Sequence, residues 1–166
     1  MGIEYRPLSE AELSALWDRH VAENVGEGAW IGWRERFLTE NRTGRAVSFG
    51  VLIDRETVGE GTLLLSPDAA AIRGRTALCD GVRVGNINAL RIRPAYEGKG
   101  HISALLRTVE DYARARGLAL LTIGVESGEV RTRAIYHHLG YTLPILTEVE
   151  GGCEVVYLGK PLAGEG

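Results

Sequence analysis

This 166-residue sequence is poor in cysteine, in long apolar runs and in excess positive charge, and each shortage excludes something. Its two cysteines, Cys79 and Cys153, stand far apart and fit no metal-ligand spacing. No metal is expected. Each reads as a buried, reduced thiol, and nothing in the sequence supports a disulfide between them. No apolar stretch approaches the roughly 18 residues of a membrane span. Glu4, Arg6, Ser9 and Glu10 interrupt the start too early for a signal peptide. Met1-Gly2 opens like a myristoylation signal, but Arg6 stands where Ser or Thr is wanted. With 19 Lys and Arg against 22 Asp and Glu, the chain lacks the basic surface that a nucleic acid requires. The expectation is a cytoplasmic protein with no membrane or nucleic-acid partner. Arg73/Arg75 and Arg91/Arg93 remain as basic clusters, suited to a small polyanionic ligand or only to solvation.

What is present is the balance of a globular domain, 45% hydrophobic and 25% charged, so the length reads as one domain over residues 1–166. Ile3 to Pro7 suits a short strand. Ser9 and Glu12 then form a capping box, with Leu8 and Leu13 placed as a hydrophobic staple. Leu13, Leu16, Trp17 and Val21 continue one helical face until Gly26 and Gly28 stop it. Trp30 to Glu40 reads as a second helix.

From Ala46 the period changes. Ala46 to Ile53 and Thr57 to Leu65 predict a hairpin about Asp54-Arg55-Glu56. Thr76 to Cys79 and Val82 to Val84 predict another about Asp80-Gly81, its second strand running on to Arg93. Gly100 to Arg116 is an amphipathic helix on Ile102, Leu105, Leu106, Val109, Tyr112 and Ala113, with Glu110 and Arg114 expected as a solvent-side pair and Gly117 as its stop. Leu118 to Val125, apolar on both faces, predicts a central strand. A short helix over Arg131 to Leu139, a strand over Cys153 to Leu158 and a frayed tail over Ala163 to Gly166 complete the order. This is an α/β pattern with a mixed, mostly antiparallel sheet.

The chemistry concentrates where a strand ends near Pro94, a glycine-rich turn follows and a strong helix begins near Gly100. The first N–H groups of a helix have no internal acceptors and carry the positive end of its dipole. Glycines beside them admit a phosphate to the backbone, and Lys99 adds charge. A P-loop is excluded, because Lys99 precedes Gly100 rather than Ser or Thr. A dinucleotide fingerprint is poor, because Gly98-x-Gly100 has no third glycine at position 103.

Leu90-x-Ile92-x-Pro94 followed by Tyr96-Glu97-Gly98-Lys99-Gly100-His101-Ile102-Ser103-Ala104-Leu105-Leu106 resembles the pyrophosphate loop of the GNAT acetyltransferases. Ala134-Ile135-Tyr136-His137-His138-Leu139-Gly140-Tyr141 resembles the L-Y-x-x-x-G-F signature of the same family. The resemblance covers residues 86–142. It implies a twisted, mostly antiparallel sheet flanked by helices and splayed at an acetyl-CoA site. Leu90, Arg91, Ile92, Gly98, Lys99, Gly100, His101, Ile102 and Ser103 are the positions it assigns to the coenzyme. It implies acetyl transfer to the amine of a small molecule or peptide by direct attack on the thioester, and a homodimer, as is frequent in the family. A non-catalytic acyl-CoA-binding module and a transferase of a longer acyl group are the alternatives. Glu97 departs from the family's Arg or Gln. His101-Ile102 departs from an apolar residue followed by Gly or Ala, and Glu129 from a frequent Asn.

In the resemblance Tyr136 supplies a proton, or a hydrogen bond, to the leaving sulfur. The carboxylate that many members carry on the strand before the loop is missing, for that stretch is Asn86-Ile87-Asn88-Ala89. Asn88, with Asn86, is suited to orienting a substrate or a water, since Asn takes no proton. Glu126 is the carboxylate proposed as general base. Trp30, Trp33, Arg34, Glu60 and the segment 66–85 are placed on the acceptor side.

Overall fold

The computed structural model describes residues 2–162, so Met1 and the tail Ala163 to Gly166 lie outside it. Its elements are β1 (Ile3–Pro7), α1 (Glu10–Glu23), α2 (Ala29–Arg42), β2 (Ala46–Ile53), β3 (Glu56–Leu64), β4 (Val84–Ile92), a 3-10 turn (Pro94–Tyr96), α3 (His101–Ala115), β5 (Leu120–Glu126), α4 (Val130–His138), β6 (Leu143–Glu150) and β7 (Cys153–Pro161). The strands form one sheet in the order β1-β2-β3-β4-β5-β7-β6. Only β4 and β5 run parallel. The fold is α/β, as expected.

Alternation along the strands sends two different faces out of this sheet. Phe49, Val51, Leu63, Ile87, Leu121 and Ile123 meet Leu105, Leu106, Val109 and Ala113 of α3, which makes the main core. Truncating one of these leucines costs about 2–5 kcal/mol. On the opposite face Leu13, Trp17, Phe37 and Leu38 form a smaller core beneath α1 and α2. Ala69, Ile72, Leu78 and Cys79 cover the rest of that face against Leu64 and Tyr157.

Four expectations are corrected. Residues 76–83 form turns, not a strand. Asp80 explains why: its Oδ1 accepts the backbone N–H of Val82, Arg83 and Val84 at 2.8, 2.8 and 2.9 Å, which closes the chain into a local loop before β4. Glu110 is buried rather than on the solvent side. It accepts the Tyr141 hydroxyl at 2.8 Å and the Lys160 ammonium at 3.0 Å, while Arg114 pairs with Asp111. Cys79 is buried as expected, but Cys153 is exposed at the start of β7. Finally, β6 is an additional strand joined to β7 through Gly151-Gly152, both at positive φ. That two-glycine turn was its sequence signal.

Candidate functional site

β4 and β5 are paired only from Val84↔Leu120 to Ile87↔Ile123, and beyond that they part. The cause is visible in β4. Ala89 takes φ +55, and the ladder to β3 skips from Asn88↔Thr62 to Arg91↔Glu60, so two residues oppose Gly61. This β-bulge bends the strand away from its parallel neighbour. The edge of β4 from Asn88 to Ile92 is therefore left unpaired on the β5 side.

Two cavities meet at this opening. The larger, about 790 Å³, runs from Leu90, Arg91 and Ile92 past Glu97, Gly98, Gly100, His101, Ile102 and Ser103 to the α4 residues Arg131, Thr132, Ile135, Tyr136 and Leu139. The smaller, about 300 Å³, is bounded by Asn88, Gly124, Glu126, Glu129, Thr132, Tyr136 and Tyr157. Leu90, Thr132 and Tyr136 belong to both. Gly124 lets the Tyr157 ring pack closely on β5, because a Cβ there would lie 2.7 Å from it.

At the far end of the larger cleft, Gly98 (φ +74) and Gly100 (φ +81) turn the chain into α3 through left-handed conformations. No heavy atom lies within 4 Å of where a Cβ at either would stand. The backbone N–H groups of Gly98 through Ser103 have no backbone acceptor among the described residues. A row of free amides at the start of a 15-residue helix, open to a deep cleft, suits the phosphates of a coenzyme. The departures from the expected motif are placed as follows. Ile102 packs against the main core. His101 is buried, its Nδ1 2.8 Å from the Tyr5 hydroxyl. Glu97 is exposed. Eight of the nine positions expected to hold the coenzyme line this cleft; Lys99, exposed, does not.

The expected catalytic positions converge on the smaller cavity: Asn88 from β4, Glu126 from the exposed end of β5 and Tyr136 from α4. Burial pushes the Tyr136 phenol up to about 12, and the nearby Glu129 carboxylate adds to the effect. It stays protonated at neutral pH and can donate. Asn86 is engaged elsewhere, its amide donating to Thr122 Oγ1 at 2.9 Å across the β4–β5 pairing. Trp33 and Arg34 line neither cavity, and Arg34 is held by Asp18 and Glu35. Glu60 is buried against His20 and Arg91 rather than open to a solution amine. In the segment 66–85, Ala69, Ile72, Leu78 and Cys79 pack against Leu64 and Tyr157, and no residue of the segment lines either cavity. Sequence reading missed Arg131, Thr132 and Ile135 as lining residues, although they stand five, four and one residues before Tyr136, and Thr132 shares its helix face. Among the described residues no group of three or more His, Cys, Asp or Glu could hold a metal ion, and no helix is long and apolar enough to cross a membrane.

Comparison with known proteins agrees with this geometry. Residues 8–141 match the model of the acetyltransferase (GNAT) family. A mycothiol acetyltransferase of Beutenbergia cavernae is 33% identical over 99 residues, which cover 57% of this chain and 29% of that protein. The match thus spans less than a third of that relative's length. Among solved structures, YncA of Salmonella typhimurium, described as an acetyltransferase with its cofactor acetyl-CoA, superposes with TM-score 0.69 at 16% identity, over 100% of this chain and 97% of that one. The PaiA N-acetyltransferase of Thermoplasma acidophilum in complex with coenzyme A gives 0.65 at 18% identity, over 97% and 99%. At these identities the structures speak for the fold.

Proposed function

Because the chain belongs to the acetyltransferase (GNAT) family, whose donor is acetyl-CoA, we propose that it transfers the acetyl group to a primary amine of a small molecule or peptide. The observation that carries the reading is the convergence of two cavities on Tyr136, one faced by free helix-terminal amides and the other by polar side chains. The amides of Gly98 to Ser103 hold the pyrophosphate, and the positive end of α3 favours its charge. The unpaired edge of β4 at Leu90, Arg91 and Ile92 takes the pantetheine arm as an added strand would be taken. The thioester then stands where both cavities share Leu90 and Tyr136.

The acceptor enters the smaller cavity. Its walls include the carboxylates of Glu126 and Glu129 and no Lys, Arg or His, so they favour an amine arriving as a cation. The ammonium must lose a proton before it can attack, and Glu126, exposed and at the rim, takes it directly or through water. Asn88 orients that amine or water. Nitrogen bonds to the carbonyl carbon, the carbon–sulfur bond breaks and Tyr136 gives its proton to the sulfur, while the second proton that nitrogen sheds on becoming an amide returns to the Tyr136 oxygen, directly or through water.

Thiol release from acetyl-CoA, followed across a panel of diamines, amino acids and peptides, tests the reading. Release that depends on one added amine is the expected outcome. Acetyl-CoA binding with no amine-dependent release would leave an acyl-CoA-binding module instead.

A further inference from the structure

On the sheet face covered by α1 and α2 lies a buried charged cluster whose side chains the reaction as drawn does not use. Glu60 of β3 is 4% exposed. One oxygen of its carboxylate lies 2.5 Å from His20 Nε2 of α1, and the other lies 3.9 Å from Arg91 Nη1 of β4. The Arg91 guanidinium lies over two indole rings, 5.3 Å from the centroid of Trp17 and 5.2 Å from that of Trp30. Its Nη1 is buried and makes no hydrogen bond. A buried carboxylate is costly unless a cation stands near it, and a guanidinium set against two tilted indole rings, whose centroids are 6.2 Å apart, recovers part of its lost hydration. One side chain of β4 is thus gripped from α1, α2 and β3 together.

The residue so gripped occupies a weak point of the sheet. Leu90, Arg91 and Ile92 follow Ala89, whose positive φ is strained for a residue with a Cβ. On the β5 side they have no partner, and on the β3 side only Arg91↔Glu60 and Ile92↔Gly59 hold them. Leu90 and Ile92 pack toward α3, so Arg91 between them projects to the opposite face. The same three residues line the larger cleft.

We infer that Arg91 is a positioning residue: the corner formed by the Trp17 and Trp30 rings and the His20–Glu60 pair hold its side chain and so fix the β4 edge that receives the pantetheine arm. The inference rests on the reading that acetyl-CoA occupies the larger cleft. Arg91 touches no reacting atom through this side chain. The clamp joins the acceptor-side helices to the donor-binding strand across the sheet.

The test compares two ligands by calorimetry on the full chain: acetyl-CoA, and adenosine 3′,5′-bisphosphate, which lacks the pantetheine arm. Wild type that fails to bind acetyl-CoA would refute the function proposed above, separately from the clamp. Given binding, Arg91→Met is expected to weaken acetyl-CoA about tenfold and the bisphosphate less than twofold, because only the former lies along β4. Glu60→Gln should show the same selectivity more mildly, and the double variant should be no weaker than Arg91→Met, since both act through one clamp. Arg91→Lys, which keeps the charge but loses the guanidinium's broad contact with the two rings, should fall between wild type and Arg91→Met. It also serves, with Glu60→Gln, if Arg91→Met does not fold. Variants that bind acetyl-CoA within twofold of wild type, or that lose both ligands equally, would overturn the inference.

Discussion

Tyr136 shows what a single side chain contributes and how its surroundings prepare it. Burial and the Glu129 charge hold its phenol near 12, above the ordinary value of about 10. The protonated form is therefore the one the fold favours, and that preference is present in full below pH ~10 and is lost as pH rises toward 12. Tyr136→Phe removes the donor and little volume. It is expected to lower kcat by on the order of a hundredfold while acetyl-CoA affinity stays within about twofold. Steady-state kinetics beside a calorimetric titration checks both halves; equal turnover in the variant would remove Tyr136 from the chemistry. Its place was legible because it sits inside a recognisable signature. The engagement of Asn86 was not, for its partner Thr122 is brought beside it only by the β4–β5 pairing.

At the scale of elements, α1 was legible to its first residue. The Ser9 hydroxyl accepts the Glu12 amide at 3.1 Å, and Glu12 returns a bond to the Ser9 amide at 2.8 Å. Arg6 then grips the same carboxylate with two bonds of 2.8 Å, which no local pattern announced. The Arg6 hydrogen bonds foremost, then the Ser9 amide, draw the Glu12 carboxyl down to about 2. A lowered carboxyl stabilises the fold above its unfolded value of about 4.3, and that contribution disappears as pH falls toward 2. Glu12→Ala should cost ~1 kcal/mol at pH 7. The difference in melting temperature from wild type should shrink between pH 5 and pH 2 (both approximate limits set by these two values). A difference unchanged down to the acid end would mean that the charge of Glu12 contributes nothing. Elements went unread where local signals misled. Asp80-Gly81 has hairpin chemistry, yet the Asp80 side chain takes the amides of Val82, Arg83 and Val84 and closes a local loop in place of a strand pair. Glu110 has helix-surface spacing to Arg114, yet Tyr141 and Lys160 reach it from 31 and 50 residues away.

At the scale of the whole molecule, one local irregularity organises the site. The strain at Ala89 parts β4 from β5, and the gap opens toward α3 and α4 on one side and toward Glu126 on the other. Charge follows the same division. Arg131 lines the larger cleft opposite the carboxylate of Glu97, whereas the charged lining of the smaller is Glu126 and Glu129. An anionic donor and a cationic acceptor would thus approach through differently charged mouths. The glycine turn and the tyrosine signature were readable because each is a short run whose backbone must behave in one way. The two-sided opening was not, since it arises from register between strands far apart in sequence.

The central claim is that the turn at Gly98 to Ser103 holds the pyrophosphate of acetyl-CoA. Gly100 stands at φ +81 beside open space, so Gly100→Glu would both strain the turn and place a carboxylate in the cradle. Calorimetric titration of wild type and this variant with acetyl-CoA is the most direct measurement. Saturable one-to-one binding by wild type, lost in a variant that melts as a folded protein, is the predicted result. Absence of binding by wild type, or equal binding by both, would contradict it.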